Sequence, residues 1–270
     1  MNKPKYRRPL NSHQILLLQT LYKFRFATSQ LITKSLGSKY PRVITARLKI
    51  LLDQDYIGRN YDSTYKIKGK SASYFLRPKG VRYLRQQPYT NKSVLNSIYH
   101  DKRASPYQIN HCLSIFEIAV AIKYNYLSTF DCFSKSELRW ISDLKNLPDI
   151  FLRRIKASTD KDTYFFLDYL EDSLLYRQLI VIIRRYVAYA EEERWEEIFG
   201  EDFPIVILVC ESKRTRYRVG QLVKKAMDRT YANIYYQVIT LDRIMSGSDM
   251  SKWPKIPKDS DDYYKTLALA

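Results

Sequence analysis

The sequence contains few glycines and few cysteines, and each shortage excludes a class of protein. With 7 glycines among 270 residues, the chain has no glycine-rich loop of the kind that cradles phosphates in P-loop enzymes. The three cysteines are Cys112, Cys132 and Cys210. Because they are odd in number and far apart, they fit neither a disulfide framework nor a paired-cysteine zinc site. We therefore expect a protein of the reducing cytoplasm.

Long apolar segments and closely spaced histidines are also missing. The first apolar run, Ile15 to Leu18, is too short for a signal peptide, and the longest later run is interrupted by charged residues. No contact with a membrane is expected. The histidines are His13, His100 and His111. Since none lie two positions apart, the chain lacks the His-hydrophobic-His metal motif that many nicking enzymes combine with a nucleophilic tyrosine.

Acidic residues are scarce in the first hundred positions only. Residues 1 to 100 carry 20 Lys+Arg and 3 Asp+Glu, net +17, whereas residues 101 to 270 carry 26 and 25, net +1. The chain is 45% apolar and 14% aromatic, so it can bury a sizeable core, and its length of 270 residues suggests about two domains. A folded basic domain of this charge attracts polyanions, so nucleic acid is the expected partner.

The charge break and the local composition predict five segments. They are a basic arm over residues 1–10, a DNA-binding domain over 11–88, a linker over 89–105, an α/β domain over 106–245 and a flexible tail over 246–270. Trp253 is expected to anchor the tail against the preceding domain.

The periodicity of the first domain predicts a winged helix. Three helices, a basic hairpin and a closing helix follow one another in the order of that fold. The predicted ranges are Asn11 to Phe26, Thr28 to Leu36, Pro41 to Gln54, Tyr56 to Leu76 and Pro78 to Leu84. In the third helix, Ile44, Leu48, Leu51 and Leu52 form the apolar face.

Polar residues on the third helix and the hairpin are the candidate DNA contacts. In a winged helix the third helix can enter the major groove while the hairpin lies along the phosphates. The candidates are Arg42, Thr45, Arg47 and Lys49 on the helix, with Arg59, Lys66, Lys68 and Lys70 in the hairpin. Ordinary solvent-exposed lysines are the alternative interpretation. Binding of this kind, to duplex DNA, needs no cofactor.

The second domain has an αβββαβ order. The patterns predict a helix, three strands, a long helix and a buried strand, followed by one more helix and strand. The ranges are Ile109 to Tyr124, Cys132 to Trp140, Asp149 to Ile155, Tyr164 to Leu170, Ser173 to Glu193, Pro204 to Cys210, Arg214 to Tyr231 and Ile234 to Asp242.

Two carboxylates mark a candidate metal site. Asp149 opens the second predicted strand and Asp168 lies on the third, so both could meet near one end of adjacent strands. Glu117 on the preceding helix is a candidate third catalytic residue. Paired carboxylates suit Mg²⁺, which takes oxygen ligands and activates water. The alternative is that the two acids only follow a proline turn and end a strand.

Several short motifs resemble a known family. They are His111-Cys112-Leu113, Ser136-Glu137-Leu138-Arg139-Trp140, Leu147-Pro148-Asp149, Phe165-Phe166-Leu167-Asp168 and Arg184-Arg185-Tyr186-Val187-Ala188-Tyr189. With the winged-helix beginning, their order over residues 10 to 220 is similar to the bacterial replication-relaxation family. This resemblance implies a protein of plasmids and other mobile elements, with a role in replication and DNA relaxation.

The same resemblance implies a restriction-endonuclease-like second domain. The signature of that fold is Pro-Asp followed by an acid, any residue and Lys, which Asp149 and Asp168 match. The Lys position falls on Leu170, so the residue that normally activates the attacking water is replaced. Arg177 or Arg184 from the long helix is a candidate substitute cation, although arginine cannot act as a base at neutral pH.

A second alignment of the signature is available. Glu211-Ser212-Lys213 has the missing spacing, but it follows the long helix, whereas the fold places this triplet before it. The cations there, Lys213, Arg214, Arg216 and Arg218, are more simply a basic loop that contacts DNA.

Two functions from different classes remain. The first is a DNA-binding protein whose nuclease-like domain is degenerate, and the missing lysine at Leu170 favours it. The second is a Mg²⁺-dependent nicking or relaxing nuclease that uses Asp149 and Asp168. A homodimer is expected by analogy with other winged-helix proteins.

Overall fold

The computed structural model of the chain forms two compact units, Met1–Phe116 and Glu117–Ala270. It describes residues 9–61, 69, 71–126, 130–138, 147–154, 162–248, 253 and 255–256. Within these ranges, no helix is both long enough and apolar enough to cross a membrane.

The first unit combines helices with a small antiparallel sheet. Its elements are α1 Ser12–Phe24, β1 Ala27–Thr28, α2 Ser29–Ser35, α3 Pro41–Asp53, β2 Ile57–Asn60, β3 Ser73–Leu76, α4 Pro78–Arg85, α5 Lys92–Ile98, a 3₁₀ turn Asp101–Arg103 and the start of α6, Pro106–Asn125. The three strands pair in the order β1-β3-β2. Three helices followed by the β2–β3 pair form the arrangement that the sequence predicts for a winged helix.

Side-chain caps fix where the first two helices begin. The N–H of Gln14 donates to Oδ1 of Asn11 at 2.9 Å, and the N–H of Asn11 donates to Oε1 of Gln14 at 3.0 Å. This reciprocal pair is a capping box. Thr28 caps α2 by accepting a hydrogen bond from the N–H of Leu31 at 3.2 Å. Both predicted helix starts are therefore confirmed.

The core of the first unit joins α1 and α3 to the sheet. Leu17, Leu21, Ile44, Leu48 and Ile57 are fully or almost fully buried. The ring of Phe75 on β3 lies so close to Gly58 on β2 that a Cβ at position 58 would be 2.3 Å from it. The two strands can therefore pair at this register only because residue 58 has no side chain.

Residues 89–105 differ from the predicted linker. Asn91 caps α5, and Val94, Leu95 and Ile98 are buried. Asp101, whose side chain is fully buried, forms an ion pair with Arg25. The helix and the ion pair make this segment part of the first unit, so the division between the units falls after Phe116. The polar composition of the segment concealed its three buried apolar residues.

The second unit is a mixed sheet with helices. Beyond the end of α6, its elements are β4 Phe130–Ser134, β5 Ile150–Arg154, β6 Thr163–Leu170, α7 Tyr176–Glu191, α8 Arg194–Phe199, β7 Ile205–Cys210, α9 Lys213–Met227, β8 Tyr236–Thr240, α10 Leu241–Met245 and β9 Lys255–Ile256. The αβββαβ order predicted for a restriction-endonuclease-like domain is confirmed. Strand β4 ends at Ser134 and so is shorter than predicted.

One six-stranded sheet carries the second unit. Its order is β4-β5-β6-β7-β8-β9. Strands β4 to β6 are antiparallel, and β6, β7 and β8 run parallel, with Leu170 opposite Cys210. One face of the sheet packs against α7 and α9 in a core that includes Phe166, Leu208 and Ile183. Asp168 lies between Phe166 and Leu170 on this same face, because alternate residues of a strand point the same way.

Two described parts of the tail are packed. The predicted tail over residues 246–270 is therefore not flexible throughout. Trp253 is 2% exposed, and its indole N–H donates to the carbonyl of Ser248 at 3.2 Å. Strand β9 pairs with β8, with Ile256 opposite Tyr236. The prediction that Trp253 anchors the tail is confirmed.

Candidate functional site

The exposed face of α3 carries the predicted DNA contacts. Ile44, Leu48 and Leu51 are buried on one side of the helix, as predicted, whereas Leu52 is only half-buried. Arg42, Thr45 and Lys49 lie exposed on the other side. Their spacing of three and four residues places them in one row along the helix. The hydroxyl of Thr45 donates to the carbonyl of Pro41 at 3.1 Å.

The remaining predicted contacts are less uniform. Arg47 is half-buried on α3, and Arg59 is exposed on β2. The guanidinium of Arg59 lies over the ring of Tyr61, 5.2 Å from its centroid. Both side chains are solvent-accessible, and cations and aromatic rings of this kind suit contact with nucleic acid. The hairpin candidates Lys66, Lys68 and Lys70 fall outside the described residues.

Two acids of the first unit are held by arginines away from the α3 row. Asp55 is 2.6 Å from a guanidinium nitrogen of Arg77. Asp101 is held by Arg25. A third, Asp53, is the last residue of α3. Arg42 and Lys49 therefore lie on a helix in which the acidic residue, Asp53, is at the C-terminal end.

The two carboxylates of the nuclease-like motif do meet. The N–H of Asp149 donates to Oδ1 of Asp168 at 3.1 Å, and the N–H of Tyr169 donates to Oδ2 of Asp149 at 3.1 Å. The antiparallel register of β5 and β6, with Ile150 opposite Leu167, places the two residues side by side. The prediction that they converge on adjacent strands is confirmed.

Asp168 is sealed inside the core by two donors from α7. It is 5% exposed. The guanidinium of Arg185 forms an ion pair with Oδ2 of Asp168, and the hydroxyl of Tyr186 donates to the same oxygen at 2.9 Å. Arg185 also donates to the Tyr186 hydroxyl at 2.9 Å. Together with the Asp149 N–H, three donors surround this one carboxylate.

Burial and charge act in opposite directions on this cluster. Burial raises the pKa of Asp168, and the cation of Arg185 acts against that rise. Burial tends to lower the pKa of Arg185, but Asp168, Tyr186 and Asp149 together outweigh it, so the pKa of Arg185 is raised. The pKa of Tyr186 is raised by burial and then by Asp168. The tyrosine therefore remains a neutral donor, and the cation of Arg185 opposes the cost of burying the Asp168 carboxylate.

These residues do not fit a Mg²⁺ site. A hard divalent ion needs several free oxygen ligands and keeps bound water, whereas Asp168 is buried and its oxygens already accept hydrogen bonds. Within the described parts of the chain, no group of three or more His, Cys, Asp or Glu side chains could hold a metal ion. Glu117, the expected third ligand, is exposed on α6 and belongs to no such group.

A cation from α7 does reach Asp168, but it is a different one from those predicted. Leu170 is 1% exposed and packs in the core. Arg177 and Arg184 are exposed, whereas Arg185 reaches Asp168. Arg185 was not among the predicted residues, although it is adjacent to Tyr186, which belongs to the buried row of α7. A signal for Arg185 was available in the sequence. It is an arginine next to the apolar row of a helix, and that helix packs over a strand with an internal aspartate.

The alternative triplet, Glu211-Ser212-Lys213, builds the start of α9. Oε2 of Glu211 accepts the N–H of Asp172 at 2.8 Å. Ser212 caps the helix by accepting the N–H of Thr215 at 3.2 Å. The cations after Ser212 therefore lie on a helix rather than in the predicted loop, and Arg216 is buried.

Comparison with known proteins identifies a family. The replication-relaxation family model matches residues 18–200. A comparison with curated proteins finds no significant match. Among solved structures, the restriction endonuclease FokI is 13% identical with a TM-score of 0.32, and the alignment covers 94% of this chain. The chain spans 46% of the length of that endonuclease. Because the family model covers more than half of its residues, the chain belongs to the replication-relaxation family.

Proposed function

We propose that this chain is a DNA-binding protein of a plasmid or another mobile element, which acts in the cytoplasm in replication, DNA relaxation or their control. It binds duplex DNA through the first unit, and α3 enters the major groove. The observation that carries the proposal is the row of Arg42, Thr45 and Lys49 along the exposed side of α3. Membership of the replication-relaxation family supports the biological context.

The physical chemistry of the first unit favours a phosphate-bearing partner. Residues 1 to 100 have a net charge of +17, and the opposite face of α3 is committed to the core. A buried face fixes the helix, so the exposed cations are presented in one orientation at little further entropic cost. Arg59 with Tyr61 adds a second exposed contact on β2. Arg and Lys bind phosphates as readily as guanine edges, so affinity is better supported than sequence specificity.

The second unit acts in this proposal without cleaving DNA. Arg185 and Tyr186 occupy the acceptor positions of Asp168 that a metal would need, and Leu170 replaces the lysine of the motif. In this proposal, Asp168 and its partners Arg185 and Tyr186 hold α7 against the sheet. The alternative, a metal-dependent nickase that uses Asp149 and Asp168, would require this ion pair to open.

A matched pair of variants tests the binding surface. The full chain with Arg42→Ala/Lys49→Ala is compared with Lys92→Ala/Lys102→Ala, which removes the same charge from exposed positions of α5 and the 3₁₀ turn. Affinity for a labelled duplex is measured by fluorescence anisotropy over a range of salt concentrations. Each lost phosphate contact lowers the log–log salt slope by about 0.9, so the α3 variant should lose about 1.8 and the control almost nothing. Equal losses in both variants would refute the assignment to α3.

We also propose that the DNA-bound form is a homodimer. Closed two-fold dimers are the commonest oligomers, and they pair with two half-sites on DNA. Analytical ultracentrifugation with and without duplex measures the mass directly. A complex that contains one copy of the chain at saturating protein would contradict this part of the proposal.

A further inference from the structure

The near-neutral total charge of the second unit conceals two regions of opposite charge. Residues 117 to 270 carry 24 Lys+Arg and 24 Asp+Glu, a net charge of zero. Yet α9, Lys213–Met227, contains six Lys+Arg and no Asp or Glu, whereas residues 191–202 contain seven Asp+Glu and one arginine. The acids follow the end of α7 and include α8. Charge is therefore separated along the chain within this unit rather than mixed.

Helix α9 presents its cations in a narrow stripe. Arg214, Arg218 and Lys225 lie within about 40° of one another around the helix axis, at about 100° per residue. Arg214 and Lys225 are exposed and Arg218 is partly exposed. The opposite side, with Val219, Val223 and Met227, is buried. The stripe is about 16 Å long, which corresponds to the rise of about five base pairs of duplex DNA.

The neighbouring helix α7 continues this basic surface. A groove of about 470 Å³ lies between α7 and α9, and Arg184, Lys225 and Arg229 are among the residues that line it. Exposed tyrosines flank the cations: Tyr176 at the start of α7 is 52% exposed and Tyr217 on α9 is 49% exposed. Cations interspersed with exposed aromatic rings are the composition of nucleic-acid contact surfaces.

The acids nearest to the stripe are already engaged or lie at its ends. Oδ1 of Asp172 accepts hydrogen bonds from the hydroxyls of Ser212 at 2.7 Å and Thr215 at 2.6 Å. Glu191, which also lines the groove, accepts a hydrogen bond from the hydroxyl of Thr230 at 2.6 Å. Asp228 follows the last residue of α9. These carboxylates keep their negative charge, and Asp172 interacts electrostatically with Arg214 and Arg218. Because α9 itself contains six cations and no acid, its exposed face still carries an excess of positive charge.

We propose that the exposed face of α9, with the adjoining edge of α7, is a second surface that binds the phosphodiester backbone of nucleic acid. The proposed function supplies the class of ligand, and this inference rests on it. The surface is separate from the buried Asp149–Asp168 pair, since Arg214, Arg218 and Lys225 lie on the solvent side of α9. It gives the second unit a binding role that does not require catalysis.

The test uses the full chain and two triple variants of equal charge change. Arg214→Gln/Arg218→Gln/Lys225→Gln removes the stripe, whereas Lys123→Gln/Arg154→Gln/Arg194→Gln removes three exposed cations from elsewhere in the second unit. Salt-dependent anisotropy is measured with a labelled duplex and a labelled single strand of the same length. The stripe variant should lose about 2.7 from the salt slope on a duplex, or about 2.1 on a single strand, if three contacts are lost. The control should keep the parental slope.

The outcomes separate this inference from the proposed function. If Arg42→Ala/Lys49→Ala lowers the slope and the stripe variant does not, the second surface is refuted while the first stands. If only the stripe variant lowers it, the second surface stands and the assignment to α3 fails. If the stripe variant keeps its slope but loses self-association in ultracentrifugation, the stripe binds the acidic stretch of another copy, and the inference is overturned. Equal slope losses in the stripe variant and its control overturn it as well.

Discussion

The two units use arginine and aspartate in contrasting ways. In the first unit, cations of α3 are exposed, and the charge of residues 1 to 100 is +17. In the second unit the total is zero, but Arg185 and Asp168 form an ion pair in which the carboxylate is buried. The comparison shows that net charge describes a whole domain and not where its charges lie. A basic total predicts a binding surface, whereas a neutral total predicts nothing about individual residues.

Among the described residues, each unit nevertheless contains one Arg–Asp pair with a buried carboxylate. Asp101 in the first unit pairs with Arg25, and Asp168 in the second pairs with Arg185. The arginine side chains are 28% and 20% exposed, respectively. In both cases the aspartate would be costly to bury without its partner. Variants of these pairs therefore test whether the carboxylates support the fold or serve chemistry.

The largest expected effect comes from breaking the second pair. Arg185→Met leaves the Asp168 carboxylate buried without its cation, so the free energy of unfolding should fall by about 3 to 5 kcal/mol. Replacing both residues, as Asp168→Leu/Arg185→Met, should recover most of this loss, because no buried charge remains. Urea unfolding measures both. Arg184→Met, at the exposed neighbouring position, is the control. If the double variant lost as much stability as Arg185→Met and Asp168→Leu lose together, a structural role for the pair would be contradicted.

Breaking the first pair should have the next largest effect. Asp101→Ala leaves Arg25 without its carboxylate, but Arg25 is partly hydrated, so we expect a loss of about 3 kcal/mol. The loss should appear as faster proteolysis within residues 89–105, since the pair holds this segment to α1. Asp55→Ala, which breaks an exposed pair with Arg77, should cost less than about 1 kcal/mol. Unchanged proteolysis in Asp101→Ala would contradict the assignment of this segment to the first unit.

A packing change in the first unit should have a moderate effect. A methyl group at Gly58 would lie 2.3 Å from the Phe75 ring, so Gly58→Ala should destabilise the first unit by about 1 to 3 kcal/mol. Phe75→Leu in the same chain removes the clash and should make the added methyl group less harmful. Thermal unfolding of the single and double variants measures this. A Gly58→Ala chain as stable as the parent would mean that β2 and β3 are not paired at this register.

The smallest expected effect is on pH dependence. Hydrogen bonds from Thr215 and Ser212 lower the pKa of Asp172 below its ordinary value of 3.8. The ionised carboxylate therefore adds stability above pH 3.8, and this contribution is lost as the pH falls through the lowered pKa. Thr215→Val removes one of these hydrogen bonds. Below pH 3.8 the free energy of unfolding of this variant should therefore fall less steeply than that of the parental chain. An unchanged pH profile would show that these hydrogen bonds do not favour the ionised form.

The sequence predicted the elements that have strong local signals. The helices that begin near Asn11 and Thr28, the apolar row of α3 and the αβββαβ order were all predictable, because each depends on neighbours along the chain. The convergence of Asp149 and Asp168 was also predictable, since it follows from the order of adjacent strands.

What could not be predicted depends on contacts between distant residues. Arg185 and Asp168 are 17 residues apart, and only the packing of α7 over β6 decides that Arg185, rather than Arg184, points inward. The same holds for Arg25 and Asp101, which are 76 residues apart. Without that contact, residues 89–105 look like a polar linker. The α9 stripe was concealed because the acids of residues 191–202 balance it in any sum of charges.

A gel assay with supercoiled plasmid tests the central claim, that this chain binds DNA while its nuclease-like carboxylates serve the fold. The full chain and Asp149→Ala are incubated with plasmid in Mg²⁺ or Mn²⁺, and each sample is analysed both directly and after removal of the protein. If the carboxylates serve the fold, both chains should retard the plasmid when bound and leave it supercoiled after deproteinisation. Nicked plasmid that appears with the parental chain and disappears with Asp149→Ala would contradict it.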